Sequence, residues 1–93
     1  MNRIFKYNFG PLSHGAKTIN IYNKVSYILD FQEQDGCLVM WACVGEPSSP
    51  KKVQLNVVRT GDAEPDGQYA RTVQGSDNLV YHVYLMSNIA PVC

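Results

Sequence analysis

The sequence predicts an all-β, mainly antiparallel domain: a small β-sandwich or open barrel of about six to seven short strands with little helix. Three observations lead to this prediction. Apolar and polar residues alternate at a period of two, turn signals separate the alternating segments, and no window shows the spacing of an amphipathic helix. A chain of 93 residues fits a single domain, residues 1–93, with residues 86–93 as a candidate C-terminal extension.

The clearest local pattern is a hairpin around Asp35-Gly36. Before this dipeptide, one side of a period-two pattern predicts a half-buried strand and carries Val25, Tyr27, Leu29 and Phe31. The dipeptide itself tolerates the positive φ of a tight turn. The run at 37–44 that follows is apolar on both faces and too short for a typical stable helix, which predicts a central strand.

Turn signals separate the other elements. Two prolines and several small polar residues at 45–50 predict a loop, because proline lacks the backbone donor that a strand uses. The segment 62–67 is acidic, contains Pro65 and ends in Asp66-Gly67, so an exposed loop is predicted there. Further strands are predicted, in chain order, at 4–9, 18–22, 53–57, 69–74 and 79–85.

Composition narrows the class of protein. Eight Lys and Arg side chains balance eight Asp and Glu side chains, so the net charge indicates neither a strong nucleic-acid binder nor a nucleic-acid mimic. The longest apolar run, at 38–44, is far shorter than the roughly 18 residues of a membrane helix. Charge interrupts the apolar residues at the start, so no secretory signal is recognised. We expect a cytoplasmic protein with no membrane or nucleic-acid partner.

Charge is segregated along the chain. Residues 1–29 carry basic side chains and no acid, and residues 30–46 carry acidic side chains and no base. In residues 51–66, basic side chains are again followed by acidic ones. Local patches of opposite sign are one interpretation, and weak surface pairs between neighbouring strands and loops are the one we favour. Basic and aromatic residues interleave at 3–9, where edge-strand lysines that prevent aggregation explain the pattern better than a nucleic-acid platform.

Chemical motifs are scarce. No close Cys-x-x-Cys or His-x-x-x-His pair occurs among the residues that could be imagined as zinc ligands: Cys37, Cys43, Cys93, His14 and His82. An odd number of cysteines leaves one unpaired in any disulfide scheme, so free thiols are expected. No Gly-x-Ser-x-Gly elbow, no phosphate-binding loop and, beyond the acids of the predicted turns, no clustered carboxylate pair is present. The sequence therefore predicts no metal, no cofactor, no catalytic residue and a protein that is not an enzyme.

Binding residues are chosen from charged and aromatic side chains. His82 alternates with Val80 and Tyr84, and is either a structural hydrogen-bonding residue, which we favour, or a polar anchor on an aromatic binding surface. Trp41 has the same ambiguity, and its apolar neighbours favour core packing. The candidates for binding residues are Lys51, Lys52, Arg59, Asp62, Arg71, His82 and Tyr84.

A resemblance to a known family covers roughly residues 4–85. Its segments are Ile4-Phe5-Lys6-Tyr7, the run at 37–44, Arg59-Thr60-Gly61, Tyr69 with Thr72-Val73-Gln74, and the run at 79–84. They resemble small uncharacterised phage and prophage proteins that read Trp-Lys-Tyr near the start, Leu-Trp-Ala centrally, Gly-Thr-Gly before an acidic loop and Leu-Val-Phe-His-Val-Phe at the close. This chain departs from that pattern at Arg59, in place of the first glycine, and at Asp62, where members often have His. The resemblance implies phage origin and a compact β fold, and the family carries no established activity.

Small size, the scarcity of catalytic motifs and the phage resemblance together favour one function. We expect a phage- or prophage-encoded accessory protein that acts by stoichiometric protein binding in the host bacterial cytoplasm, inhibiting a host defence complex in the manner of anti-CRISPR or other anti-defence proteins. Its partner would be a host or phage protein, and a homodimer stays open. One alternative is a protein that sequesters a nucleotide signal through Arg59, Arg71, His82 and Tyr84. Another is a minor virion or assembly component.

Overall fold

The computed structural model describes residues 2–86, and these form an antiparallel β-domain. Its elements are β1 (Arg3–Pro11), β2 (Gly15–Gln34), β3 (Cys37–Arg59), β4 (Gln68–Gln74) and β5 (Val80–Leu85). No helix occurs among the described residues. The predicted all-β, antiparallel class is confirmed. The candidate extension at 86–93 lies, apart from Met86, outside the described residues, as does Cys93.

A long hairpin of β2 and β3 organises the fold. Its turn lies at Asp35-Gly36, where φ is 52° and 80°, so the predicted hairpin is confirmed. β2 pairs with β3 from Gly15 opposite Val57 to Gln34 opposite Cys37. The other edge of β3 is shared, because β1 pairs with its first half and β5 with its second half. β4 then pairs with β5.

The predicted loop at 45–50 is wrong, because these residues lie within β3. Residues 48–50 have no partner in the register with β2, so Pro50 removes no ladder hydrogen bond from that pairing. Asn23 compensates locally by donating its side-chain amide to the carbonyl of Gly45 at 3.1 Å. The predicted strand at 18–22 and the predicted strand that carries Val25 and Phe31 are likewise parts of a single strand, β2. The described strands therefore number five, two of them long and irregular in the middle.

All five strands belong to one sheet. Register shifts between Ile21 and Asp30 of β2 divide the hairpin into two parts, and because the inward residues of both parts form one cluster, we infer that the sheet bends into two layers. The β1 sheet consists of β1, residues 25–34 of β2 and residues 37–44 of β3. The β5 sheet consists of residues 15–21 of β2, residues 51–59 of β3, β5 and β4. One hydrophobic cluster draws on the inward residues of both sheets, among them Phe31, Leu38, Met40, Val53, Leu55, Val57 and Val83. The two layers therefore share a single core.

The position of Trp41 contradicts the favoured prediction that this side chain packs in the core. Its neighbours Met40 and Ala42 point into the core and are fully buried, so the period of two places the indole on the outward face of the β1 sheet. There it is half-buried. Cys43 lies on the same strand, is buried and has a free thiol, and Cys37 is also free, as expected.

Opposite charges meet across the fold, as the favoured interpretation of the charge segregation predicts. Lys24 lies 2.9 Å from Glu46, and Arg71 of β4 lies 3.1 Å from Asp30 of β2. A looser pair at 3.8 Å joins Arg59 and Asp62. These side chains are partly or largely exposed, so each pair contributes at most about 1 kcal/mol.

The turn between β4 and β5 is tied to the core by Asp77. Its carboxylate accepts the backbone N–H of Leu79 at 3.0 Å and the phenol of Tyr81 at 2.9 Å. The bond from Leu79 is the main cause of the lowered pKa of Asp77, and the bond from Tyr81 lowers this pKa further. The same bond to Asp77 raises the pKa of Tyr81. Because Tyr81 is buried, the exposed turn is anchored to the interior.

Replacing Tyr7 by Phe is expected to stabilise the domain. Among the described residues the buried hydroxyl of Tyr7 has no hydrogen-bond partner, and burial raises the pKa of this phenol. A buried polar group without a partner costs roughly 1 kcal/mol or more, which corresponds to about 4–8 °C in Tm for a domain of this size. Thermal unfolding of Tyr7→Phe measures the gain. A lower Tm would show that the hydroxyl forms a hydrogen bond in solution.

Candidate functional site

The outer surface of the β5 sheet presents aromatic and hydroxyl side chains. Tyr81 and Val83 of β5 point into the core, so alternation turns His82 and Tyr84 outward. The register adds residues of β3 and β4 beside them. We call this surface the His82 face and define it by Asn56, Val58, Thr60, Tyr69, Thr72, His82 and Tyr84.

His82 is fixed by hydroxyl groups on both sides. Its Nε2 lies 2.9 Å from Oγ1 of Thr60 at the end of β3, and its Nδ1 lies 3.0 Å from Oγ1 of Thr72 on β4. The chain of hydrogen bonds continues from Thr72 to the phenol of Tyr69 at 2.7 Å. A neutral imidazole donates through one nitrogen and accepts through the other, and rotatable hydroxyls suit either tautomer. The ring is therefore held in one orientation across three chain segments.

Two tyrosines form the aromatic part of the face. Tyr69 and Tyr84 are direct cross-strand partners, and their ring centroids lie 5.7 Å apart at an interplanar angle of 74°. This edge-to-face geometry is favourable for aromatic pairs. Tyr84 donates its hydroxyl to Glu64 at 2.9 Å, and this hydrogen bond is the main cause of the raised pKa of Tyr84. Tyr69 remains 53% exposed.

A tight turn after β3 borders the face. Asp62 accepts the backbone N–H of Arg59 through its carboxylate at 2.8 Å and donates its own N–H to the carbonyl of Arg59 at 3.0 Å. Gly61 lies in this turn at φ 98°, a conformation that favours glycine. The turn encloses a depression of about 240 Å³ lined by Val58, Arg59, Thr60, Gly61, Asp62, Glu64, His82 and Tyr84.

The electrostatics of this depression favour a basic ligand group. Asp62 and Glu64 contribute two carboxylates, and Arg59 contributes one guanidinium that already lies 3.8 Å from Asp62. An incoming phosphate would face a net negative lining, whereas an ammonium or guanidinium group would be attracted. The depression is thus suited to a Lys or Arg side chain.

Four of the predicted binding residues meet at this site: Arg59, Asp62, His82 and Tyr84. Arg71 lies elsewhere, at the seam between β4 and β2, where it pairs with Asp30. Lys51 and Lys24 line a separate depression of about 210 Å³ at the bend of the hairpin. Lys52, next along β3, is exposed.

Sequence reasoning missed Thr60, Tyr69, Thr72 and Glu64 as members of the site. Tyr69 and Thr72 are three residues apart and would lie on opposite faces of a regular strand. A register shift between Tyr69 and Arg71 brings both onto the outer surface. Alternation around His82 identifies the outward side of β5. It does not reveal the bulge in β4, so Tyr69 and Thr72 could not be placed on the same face from the sequence.

The fold and the site define a small all-β domain with a pre-formed aromatic and polar surface. Residues 1–91 match the family model Domain of unknown function (DUF7352), and the chain belongs to this uncharacterised family. No curated protein and no solved structure matches it. Within residues 2–86 there is no helix long and apolar enough to cross a membrane, and no cluster of three or more His, Cys, Asp or Glu side chains that could hold a metal ion.

Proposed function

We propose that this protein acts by stoichiometric protein binding and that the His82 face is its contact surface. The observation that carries the proposal is the pair of exposed Tyr69 and half-buried Tyr84, whose phenols are both held by hydrogen bonds. Tyrosine is enriched among the residues that dominate binding energy at protein interfaces. Side chains that are already ordered lose little conformational entropy when a partner binds.

The partner we propose carries a basic side chain that enters the depression beside His82. The carboxylates of Asp62 and Glu64 supply the complementary charge, and the tyrosine rings supply apolar contact area.

A nucleotide-signal binder is supported less well. Arg59, His82 and Tyr84 do meet in the depression, whereas Arg71 is bonded to Asp30 at another place in the fold.

The biological setting we propose is that of a phage- or prophage-encoded accessory protein in the host bacterial cytoplasm. The target would be a host defence complex, inhibited by occupation of one of its surfaces. Support for this setting comes from the motif resemblance at 37–44 and 79–84 and from the small size of the chain. A minor virion or assembly component is the competing role, and its presence in purified particles would favour it.

Replacing Tyr69 by Ala is expected to weaken partner binding at least tenfold, because truncation of a central aromatic contact costs about 2 kcal/mol or more. Tagged wild-type protein purified from infected cells should retain a stoichiometric partner, identified by mass spectrometry. The affinity for that partner is then measured by calorimetry for both chains. Tyr69 is 53% exposed, so the variant should keep its fold.

Tyr22→Ala is the matched control for this experiment. Tyr22 is 58% exposed and lies at the bend of β2, away from the His82 face. The control should bind with wild-type affinity. Equal losses in the two variants, or wild-type affinity in Tyr69→Ala, would remove the His82 face as the contact surface. Stabilisation of the isolated protein by a nucleotide second messenger in a thermal-shift assay would favour the sequestering role instead.

A further inference from the structure

The outer surface of the β1 sheet, on the layer opposite the His82 face, has an ordered arrangement of its own. Trp41 on the central strand β3 lies directly between Lys6 of β1 and Asp30 of β2. Direct partners in antiparallel strands share a face of the sheet. One indole is therefore flanked by a basic residue on β1 and an acidic residue on β2.

The neighbouring row makes this surface apolar. Cys43, two residues from Trp41, lies between Ile4 of β1 and Tyr27 of β2. Ile4 is 55% exposed and Tyr27 is 36% exposed, and Trp41 is half-buried. Exposed apolar patches with a polar rim are typical of interaction sites. We call this surface the Trp41 face and define it by Ile4, Lys6, Tyr27, Asp30, Trp41 and Cys43.

We infer that the Trp41 face binds a second copy of this chain. In a face-to-face pair whose two-fold axis runs parallel to β3, each β1 lies opposite the β2 of the other copy. Lys6 then faces Asp30 of the second copy, twice by symmetry, and the two Trp41 side chains meet on the axis. The sheets of such a pair pack about 10 Å apart, within reach of these side chains.

Both charged groups have capacity for this contact. The ammonium of Lys6 donates to Oε1 of Gln34 on β2 at 2.7 Å, and in the dimer this exposed hydrogen bond is exchanged for the contact with Asp30 of the second copy. Asp30 receives Arg71 and the N–H of Phe31 on Oδ1. Its Oδ2 accepts the amide of Gln32 at 2.8 Å and can accept a second donor. Lys6 of a second copy could therefore bind the Asp30 carboxylate while Arg71 and Gln32 stay bound to it.

The size of the face sets the strength of the dimer. Three strands spaced about 4.8 Å apart and some seven residues long span roughly 14 by 23 Å, or about 300 Å² in plan. Stable interfaces bury about 800 Å² on each partner. The dimer is therefore weak, with a Kd of roughly 10–1,000 µM. Because the two faces lie on opposite layers, dimerisation leaves both copies of the His82 face open, and it does not depend on the function proposed for that face.

Sedimentation velocity of the purified chain from about 10 µM to about 1 mM tests the dimer over the expected range of Kd. The wild type should pass from monomer to dimer as its concentration rises. Lys6→Glu places a second carboxylate opposite each Asp30, and Asp30→Lys places a second ammonium opposite each Lys6. For each variant alone, the Kd of the dimer should rise by at least about tenfold. Lys52→Glu, a change of equal charge at an exposed residue of the β5 sheet, should leave the Kd unchanged.

An equimolar mixture of Lys6→Glu and Asp30→Lys supplies the decisive result. In the mixed pair Glu at position 6 meets Lys at position 30, and the native Lys6 meets the native Asp30, so the mixture should recover the affinity that each variant lost. A folding defect in either variant cannot produce this recovery. A wild type that stays monomeric at about 1 mM, variants with unaltered Kd, or a mixture no tighter than its components would each overturn the inference.

Discussion

Phe31→Ala is expected to lower the free energy of unfolding by about 3–5 kcal/mol. Phe31 is fully buried, lies opposite Met40 on β3, and its ring centroid lies 6.5 Å from that of Phe9 on β1. Truncation removes the apolar surface of the ring and leaves a cavity that the surrounding strands fill only in part. Equilibrium unfolding in urea measures the loss. Domains of this size have about 5–15 kcal/mol in total, so the variant should be partly unfolded under mild conditions.

Phe5→Ala is the control of the same chemistry. Phe5 lies on β1, is 38% exposed and contacts the ring of Tyr7 at a centroid distance of 6.4 Å. Its removal opens no enclosed cavity, so the loss should stay below about 1.5 kcal/mol. Equal losses for Phe31→Ala and Phe5→Ala would contradict a core centred between the two sheets.

Much of the fold could be predicted from the sequence because its signals are local. The hairpin at Asp35-Gly36 depends on two residues that accept positive φ, and these are readable in the chain. The single side predicted for Val25, Tyr27, Leu29 and Phe31 is wrong, because register shifts between Val25 and Asp30 place Tyr27 on the outer surface and Phe31 in the core. The continuity of β3 through 45–50 was not predictable in this way. A proline forbids a strand only where a partner needs its N–H, and the partner of each residue is set by the bend of β2, which is a tertiary feature.

The candidate site could be predicted in part, for the same reason. His82 and Tyr84 alternate with buried residues, so their outward position follows from period two. Their partners arrive from β3 and from β4, and the bulge after Tyr69 decides which β4 residues share the face. The position of Trp41 also follows from alternation and not from the character of its neighbours. Its apolar neighbours are real core residues, yet alternation places the indole outside, where Lys6 and Asp30 flank it.

The bend of the hairpin links these observations. Because β2 and β3 cross from one layer to the other, a single long hairpin contributes strands to both faces. The outer surface of the β1 sheet carries exposed Ile4 and Tyr27 beside half-buried Trp41, whereas that of the β5 sheet is polar and hydrogen-bonded around His82. Among residues 2–86, no helix covers either outer surface. The difference in chemistry between the two faces supports different partners for them.

Gly67→Ala is expected to destabilise the domain by about 2–4 kcal/mol. Gly67 has a φ of 111°, and a Cβ atom there would lie 3.0 Å from the carbonyl oxygen of Leu85 and 2.8 Å from the sulfur of Met86. The thioether can move aside, whereas the carbonyl belongs to β5 and moves only with the strand. Gly67 immediately precedes β4, so the strain acts directly on the strand that carries Tyr69.

Gly61→Ala separates backbone strain from steric contact. Gly61 has a similar φ of 98°, and a Cβ atom there would meet nothing within 4 Å. This control should lose only the cost of the left-handed conformation, about 1–2 kcal/mol, in the same urea titration. The difference between the two variants measures how tightly the start of β4 packs against the end of β5. If Gly67→Ala lost no more than Gly61→Ala, that packing would be loose, and the ordered position of Tyr69 on which binding through the His82 face depends would lose its structural basis.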